Sequence, residues 1–164
     1  NQVNPPNPDS DNQQKMTNNK NILIIGIGNT LRSDDGIGAH ICNLLEAKKL
    51  NGVETMIVQQ LDITMAETIA TFNKVIFVDA AVNEATVSFQ PVLLNEPLSS
   101  SFTHHVNAAM LAGLAAKLYP GNTGYYLCTV GGNDFEMGTA LSTTAQTTAK
   151  QAIDILTEWI ALNS

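Results

Sequence analysis

Basic residues are scarce in this sequence, and it has no long apolar run. Eight Lys and Arg stand against 15 Asp and Glu among the 164 residues, which gives a formal net charge of −7. An acidic surface repels phosphate groups, so neither nucleic acid nor a membrane is expected as a partner. No stretch is long and apolar enough for a transmembrane helix, and the first residues lack the hydrophobic core of a signal peptide. A cytoplasmic location is therefore expected.

Cysteine is also scarce, and the two that are present, Cys42 and Cys128, lie far apart in the chain. Their spacing matches no zinc-binding or redox motif, and both lie in apolar segments. Reduced thiols in the protein core are therefore favoured over a disulfide or a pair of metal ligands.

The first 20 residues differ in composition from the rest. They include Pro5, Pro6 and Pro8 among many Asn and Gln residues. Such a segment buries too little apolar surface to offset the entropy lost on ordering, so residues 1–20 are predicted to be a disordered tail. Hydrophobic residues make up 44% of the chain, which is enough for a core, and residues 21–164 are predicted to form a single α/β domain.

From residue 21 onward, segments typical of strands alternate with segments typical of helices. Apolar or alternating runs predict strands at 22–25, 53–59, 74–79, 85–94 and 124–130. Pro91 lies within the fourth of these runs, which makes that segment an expected edge strand. Repeated β-α units predict an α/β fold with three layers: a twisted, mostly parallel sheet of about five strands with helices on both faces.

Helical spacing of apolar residues predicts which helix faces are buried. Three helices are predicted from the sets Ile37, Ile41, Leu44 and Leu45; Val106, Met110, Leu114 and Leu118; and Ile153, Leu156, Trp159 and Ile160. A shorter helix is expected near residues 65–72. If the second of the three begins just after Thr103, His104 and His105 point roughly 100° apart around its axis.

The run from Gly26 to Gly38, GIGNTLRSDDGIG, places two adjacent carboxylates, Asp34 and Asp35, between the first strand and the first helix. They follow the carboxyl end of a strand, where open α/β sheets bind their ligands. A dinucleotide site is disfavoured because Leu31 occupies the third glycine position of that fingerprint, and because two carboxylates repel a pyrophosphate. A role as helix N-cap would account for one of the two aspartates but would leave the other unexplained.

Two further positions are predicted to converge on the same edge of the sheet as Asp35. Asp79 ends the third predicted strand, and His104 or His105 lies where a loop meets the next helix. One histidine and two carboxylates suit a divalent transition metal and leave coordination positions open for a substrate. From the residues alone, a solvated strand end for Asp79 and a capping or surface role for the histidines stay open as alternatives.

Five ordered segments of the chain resemble the nickel-iron hydrogenase maturation endopeptidases. They are GIGNTLRSDDGIG, QQLDITMAETIA at 59–70, VIFVDAA at 75–81, THH at 103–105 and TVGGNDFEMGTALS at 129–142. The resemblance spans residues 21–162 and is closest to the branch that serves soluble cytoplasmic hydrogenases. It implies an enzyme that removes a short C-terminal extension from the hydrogenase large-subunit precursor once nickel has been inserted.

The resemblance also implies the site residues. The two metal-binding acids of the family fall on Asp35 and Asp79, which become the predicted catalytic residues and metal ligands. The family's histidine ligand falls on His104 rather than His105. The metal that the resemblance implies is nickel carried by the nickel-loaded precursor, and other divalent metals are expected to fit the same ligands. A nickel-binding accessory or chaperone protein that does not cut peptide is the alternative function.

The sequence has no H-E-x-x-H motif of a zinc protease and no serine or cysteine in a recognised nucleophile turn. Either the metal or a carboxylate acting as general base is therefore expected to activate water. Asp34 is expected to orient a loop or to cap the helix. The segment that begins at Gly131 and Gly132 is predicted either to contact the peptide or to form a plain turn.

Overall fold

A single sheet of five strands forms the centre of the protein, in a computed structural model that describes residues 22–82, 84–94 and 106–164. Its strands are β1 at Ile22–Ile27, β2 at Val53–Val58, β3 at Lys74–Val82, β4 at Val87–Pro91 and β5 at Gly124–Gly132. They are ordered β2-β1-β3-β5-β4 across the sheet. The first three and β5 are parallel, so their carboxyl ends share one edge, while β4 runs antiparallel to β5.

The strand β4 lies at the margin of the sheet and pairs with β5, where Pro91 faces Tyr126. Proline has no N–H to donate to a neighbouring strand, so it fits an edge strand and would interrupt a central one. The predicted edge strand is confirmed.

Four α-helices are present in the described residues: α1 at Ile37–Ala47, α2 at Ala66–Ile69, α3 at Ala108–Leu118 and α4 at Thr143–Asn163. Asn107 caps α3 by accepting the Met110 N–H at 2.8 Å, and Ser142 caps α4 by accepting the Ala145 N–H at 3.1 Å. Each cap satisfies a donor that the helix itself leaves unpaired.

Helices cover both faces of the sheet. On β1, Ile22 and Ile24 belong to the core that includes α1 and α4, whereas Leu23 and Ile25 belong to the core that includes α2 and α3. Burial on both faces explains why this strand is an unbroken apolar run rather than an alternating one. The predicted three-layer α/β architecture is confirmed.

The buried face of α3 differs from the predicted stripe. Its buried residues are Ala108, Leu111, Ala112 and Ala115. Met110 and Leu118 are 37% and 56% exposed, while Val106 and Leu114 pack at the margin of the core. The helix sequence, AAMLAGLAAKL, is apolar almost all round, so spacing does not select one face. The small alanines form the buried side because they let the helix approach the sheet closely.

Two other expectations needed correction. On α1, Ile37, Ile41 and Leu45 are buried as predicted, but Leu44 is 42% exposed. The strand β3 does not end at Asp79: it continues to Val82, because β5 also extends to Gly132 and pairs with it along that length. Asp79 therefore lies within a paired strand rather than at a solvated strand end.

Both cysteines lie in the core between the sheet and the helices α1 and α4, and neither forms a disulfide. Burial raises the pKa of the Cys42 thiol and of the Cys128 thiol to about 12. The prediction of reduced core thiols is confirmed.

Across the described ranges, no helix has the length and apolar character needed to cross a membrane. The predicted disordered tail at 1–20 and the histidines His104 and His105 lie outside the described residues, so those expectations stay predictions.

Candidate active site

Glycines bring the turn after β1 into close contact with the sheet. A Cβ added at Gly38 would lie 2.7 Å from the Ile27 nitrogen and 2.9 Å from the Val78 oxygen. Gly28 has a φ of +132°, and a Cβ there would lie 1.9 Å from the Asp35 carbonyl oxygen. Only glycine allows this approach. The glycines of the motif therefore serve packing, and they hold the turn that carries Asp35 against the end of β1 and against β3.

Asp35 lies in a short 3-10 turn, Ser33–Gly36, that leads into α1. Its side chain is partly buried and accepts a hydrogen bond from the Asn29 N–H at 2.8 Å through Oδ2. That contact fixes the direction of the carboxylate and occupies one oxygen. The arrangement suits a group that must face a ligand in a defined orientation.

Asp79 lies on β3, the strand that contacts this turn. It is partly buried, and its Oδ1 accepts the Ala80 N–H at 2.9 Å. Burial raises the pKa of Asp79, and the negative charge of Asp35 raises it further. The structure thus brings two carboxylates together, as the topology predicted, and leaves them in mutual repulsion. A cation placed between them would relieve both the repulsion and the cost of burial.

The neighbouring Asp34 has a different environment. Its side chain is fully buried and accepts four hydrogen bonds of 2.7 to 2.9 Å, from the N–H groups of Asn133, Asp134 and Ser142 and from the Ser142 hydroxyl. Burial acts to raise the pKa of Asp34, but the bonds from Ser142, Asp134 and Asn133 together hold it below its usual value. Of the two expected roles, Asp34 has the loop-orienting one: no side chain caps the turn or α1.

The partner of Asp34 is the segment 133–142 between β5 and α4, here called the rim loop. Backbone bonds also join it to the turn: Ser33 N–H donates to Gly138 at 2.8 Å, and Gly138 N–H donates to Leu31 at 3.0 Å. The Arg32 guanidinium donates to the Phe135 carbonyl oxygen at 3.1 Å. The rim loop is therefore fixed to the element that carries Asp35.

Sequence reasoning identified the rim loop but missed Ser142 as a member of this cluster. A serine before a helix-forming segment is a recognisable cap, and Ser142 does cap α4. Its second role, donating to Asp34, joins residues 108 positions apart. No local pattern in the sequence signals that contact.

The structure describes two of the three predicted metal ligands. Asp35 and Asp79 lie together, whereas His104 and His105 are outside the described residues, and the remaining histidine, His40, is exposed on α1. Within the described part of the chain, no group of three His, Cys, Asp or Glu side chains is arranged to hold a metal. Carboxylates are suitable ligands for a divalent metal, but the ligand roles of Asp35 and Asp79, like that of the third ligand, stay predictions.

No protein-family model and no curated protein matches this sequence, but several solved structures do match. The [NiFe] hydrogenase maturation protease HycI from Thermococcus kodakarensis superposes with a TM-score of 0.68 at 20% identity, over 87% of this chain and 93% of its own. The hydrogenase maturating endopeptidase HybD from E. coli gives 0.64 at 19% identity, over 86% and 92%. A hydrogenase 2 maturation peptidase from a Thaumarchaeota archaeon gives 0.64 at 21% identity, over 87% and 99%.

This chain has the fold of the hydrogenase maturation proteases. The likeness covers nearly the whole length of each of these three proteins. The sheet of five strands and the helices on both of its faces therefore belong to a fold that these proteins share. The fold that the sequence motifs implied is confirmed by this independent comparison.

Proposed function

We propose that this protein is an endopeptidase that removes the C-terminal extension of a nickel-iron hydrogenase large-subunit precursor after nickel insertion. One observation carries the proposal: Asp35 and Asp79 lie together at the carboxyl edge of the sheet, close enough for the charge of one to raise the pKa of the other. This chain has the fold of the hydrogenase maturation proteases, and the five sequence segments that resemble this family include both residues.

The charge of the pair supports a cationic substrate group. Two partly buried carboxylates repel each other in the free protein, and nickel carried by the precursor would remove that repulsion on binding. Asp35, Asp79 and His104 would bind the nickel, and the scissile peptide would be held beside them. A precursor without nickel would leave the carboxylates uncompensated, so nickel acts as the recognition element.

The residues favour hydrolysis by activated water over a covalent intermediate. Both cysteines are buried with pKa values of about 12, so neither supplies a thiolate at neutral pH. The raised pKa of Asp79 makes it a stronger base than an ordinary aspartate. The attacking water would therefore lose its proton to a carboxylate of the pair, or to solvent if the nickel of the substrate activates it.

The finer assignments follow from the sequence resemblance. We propose that the substrate belongs to a soluble cytoplasmic hydrogenase and that the protein acts in the cytoplasm. The segment 59–70 is one of the five that resemble this family. Its Asp62 accepts the Thr64 N–H at 2.8 Å and so starts the short helical segment that follows β2 at the same edge of the sheet as the carboxylate pair.

Mass spectrometry of the precursor tests the proposal. The purified protein is incubated with nickel-loaded precursor and, in parallel, with nickel-free precursor. Loss of a C-terminal peptide from the loaded form alone is the expected result. Binding without shortening of the precursor would instead support the accessory-protein alternative. The Asp35→Asn variant is the control, because it keeps the size and the Asn29 contact while removing the charge.

A further inference from the structure

The rim loop and the Asp35 turn form one structural unit. Three rim-loop groups, the N–H groups of Asn133, Asp134 and Ser142, point at the buried Asp34 carboxylate, and the Ser142 hydroxyl donates to it as well. Hydrogen bonds to a buried charge are stronger than neutral ones. Any shift of the rim loop therefore breaks charge-assisted bonds or moves the turn with it.

The packing between these two segments leaves little room for adjustment. A Cβ added at Gly132, the last residue of β5 before the rim loop, would lie 2.8 Å from the Asp34 Cβ, and one added at Gly138 would lie 2.6 Å from the Ser33 hydroxyl oxygen. Ser33 itself has a φ of 45°, a strained value for a residue with a side chain. Such a conformation persists where surrounding contacts over-determine it, and here the contacts come from the rim loop.

The rim loop also presents an exposed apolar side chain, Met137, beside its contact with the turn. Met137 is 79% exposed, and the residue after it donates to the carbonyl of Leu31, which is 56% exposed. Leu31 and Ser33 belong to the segment that leads into Asp35. Two exposed apolar side chains thus lie on the turn that carries Asp35 and on the loop bonded to it, in a protein with a net charge of −7.

We propose that the rim loop binds the peptide next to the scissile bond, that Met137 contacts an apolar side chain of that peptide, and that Asp34 is the positioning residue that holds the loop. The proposal rests on the proposed peptidase function and adds the element that recognises the peptide. Asp34 is fully buried and reaches no substrate, so its effect passes through the loop. The peptide gains contact with Met137 only while the loop stays against the turn.

The contact residue is tested with Met137→Ser and the matched control Leu162→Ser, since Leu162 is 80% exposed near the end of α4. Cleavage of nickel-loaded precursor is measured over a range of precursor concentrations. Met137→Ser is expected to raise KM about tenfold, the effect of losing one buried apolar contact, with kcat within about twofold. Leu162→Ser is expected to match the wild type. An unchanged KM in Met137→Ser would overturn the contact.

The positioning role is tested with Ser142→Ala and Ser142→Thr, because threonine keeps a hydroxyl for Asp34 and for the Ala145 N–H. Hydrogen exchange should be faster at the Asn133 and Asp134 amides in Ser142→Ala, with a raised KM, and threonine should restore both. Equal behaviour of the two variants would refute the role of the hydroxyl bridge.

The experiments distinguish a failure of the proposed function from a failure of the inference about the rim loop. If the wild-type protein does not shorten the precursor, the proposed function is wrong, and this inference falls with it. If the wild type cleaves normally but Met137→Ser and Ser142→Ala keep its KM, only the inference about the rim loop is wrong.

Discussion

Asp34 and Asp35 are adjacent in the chain, but the structure gives them opposite environments. Asp34 is fully buried, accepts four hydrogen bonds and has a lowered pKa. Asp35 accepts one described backbone N–H and lies beside Asp79, whose pKa is raised. A carboxylate whose donors are supplied by the protein stabilises the fold. A carboxylate that accepts few hydrogen bonds and lies close to another carboxylate can still bind a cation. This difference separates a structural aspartate from a candidate reactive one.

Asp35→Asn tests the reactive side of the comparison and has the largest expected effect. The substitution removes the anionic ligand but keeps an oxygen for the Asn29 N–H. Nickel-dependent cleavage should fall by at least about a hundredfold, with little change in Tm. Cleavage is followed by mass spectrometry and folding by circular dichroism. Near-normal cleavage by a folded variant would remove Asp35 from the site.

His104→Ala and His105→Ala test which histidine is the predicted third ligand. The resemblance favours His104, so His104→Ala should lose nickel-dependent cleavage and His105→Ala should keep most of it. Helix geometry does not support this choice, because α3 begins at Ala108 with its cap at Asn107, after both histidines. Loss of cleavage in His105→Ala alone would shift the ligand set to Asp35, Asp79 and His105.

Asp34→Asn tests the structural side. Three donors meet Asp34 Oδ2, so an amide nitrogen in that place would leave them unsatisfied. We expect a loss of about 3 kcal/mol in the free energy of unfolding, which lowers Tm by roughly 6–12 °C at pH 7. Because folding lowers the pKa of Asp34, its carboxylate stabilises the fold at pH values above 3.8, its pKa in the unfolded chain. That stabilisation is lost as pH falls through the lower pKa of the folded state. The difference in Tm should therefore shrink in acid, which thermal melts at several pH values would show.

Asp79→Asn should give a smaller effect of the opposite sign. Folding raises the pKa of Asp79 above 3.8, its value in the unfolded chain. The stability that protonated Asp79 contributes is therefore fully present below pH 3.8, and it is lost as pH rises through the pKa of the folded state. The variant removes that unfavourable charge while keeping an oxygen for the Ala80 N–H. Its Tm at pH 7 should exceed that of the wild type, with the gap closing below pH 3.8. A lower Tm at pH 7 would show that the carboxylate stabilises the resting fold.

Deletion of residues 1–15 should have the smallest effect. The segment lacks the apolar content to join the core, so Tm and cleavage should stay as in the full chain. Differential scanning fluorimetry and the precursor assay measure both. A fall in Tm of more than a few degrees would mean that this segment packs against the domain.

Local patterns in the sequence predicted much of the fold and the position of the carboxylate pair. The apolar runs predicted every described strand, and strand–helix alternation predicted the three layers, because a buried strand leaves a continuous apolar pattern in the chain. Asp35 and Asp79 could be placed at one edge since parallel strands share a carboxyl edge. Their roles as ligands and catalytic residues stay predictions.

The sequence by itself determined the strands, the covered sheet, the reduced cysteines and the edge at which two acids meet, because these depend on residues close together in the chain or on rules of strand topology. The tertiary structure alone decided which of two adjacent aspartates is structural. Asp34 differs from Asp35 through donors about 100 positions away, brought to it by the pairing of β3 with β5. It also decided the buried face of α3, where an apolar sequence offers several faces and only contact with the sheet selects the alanines.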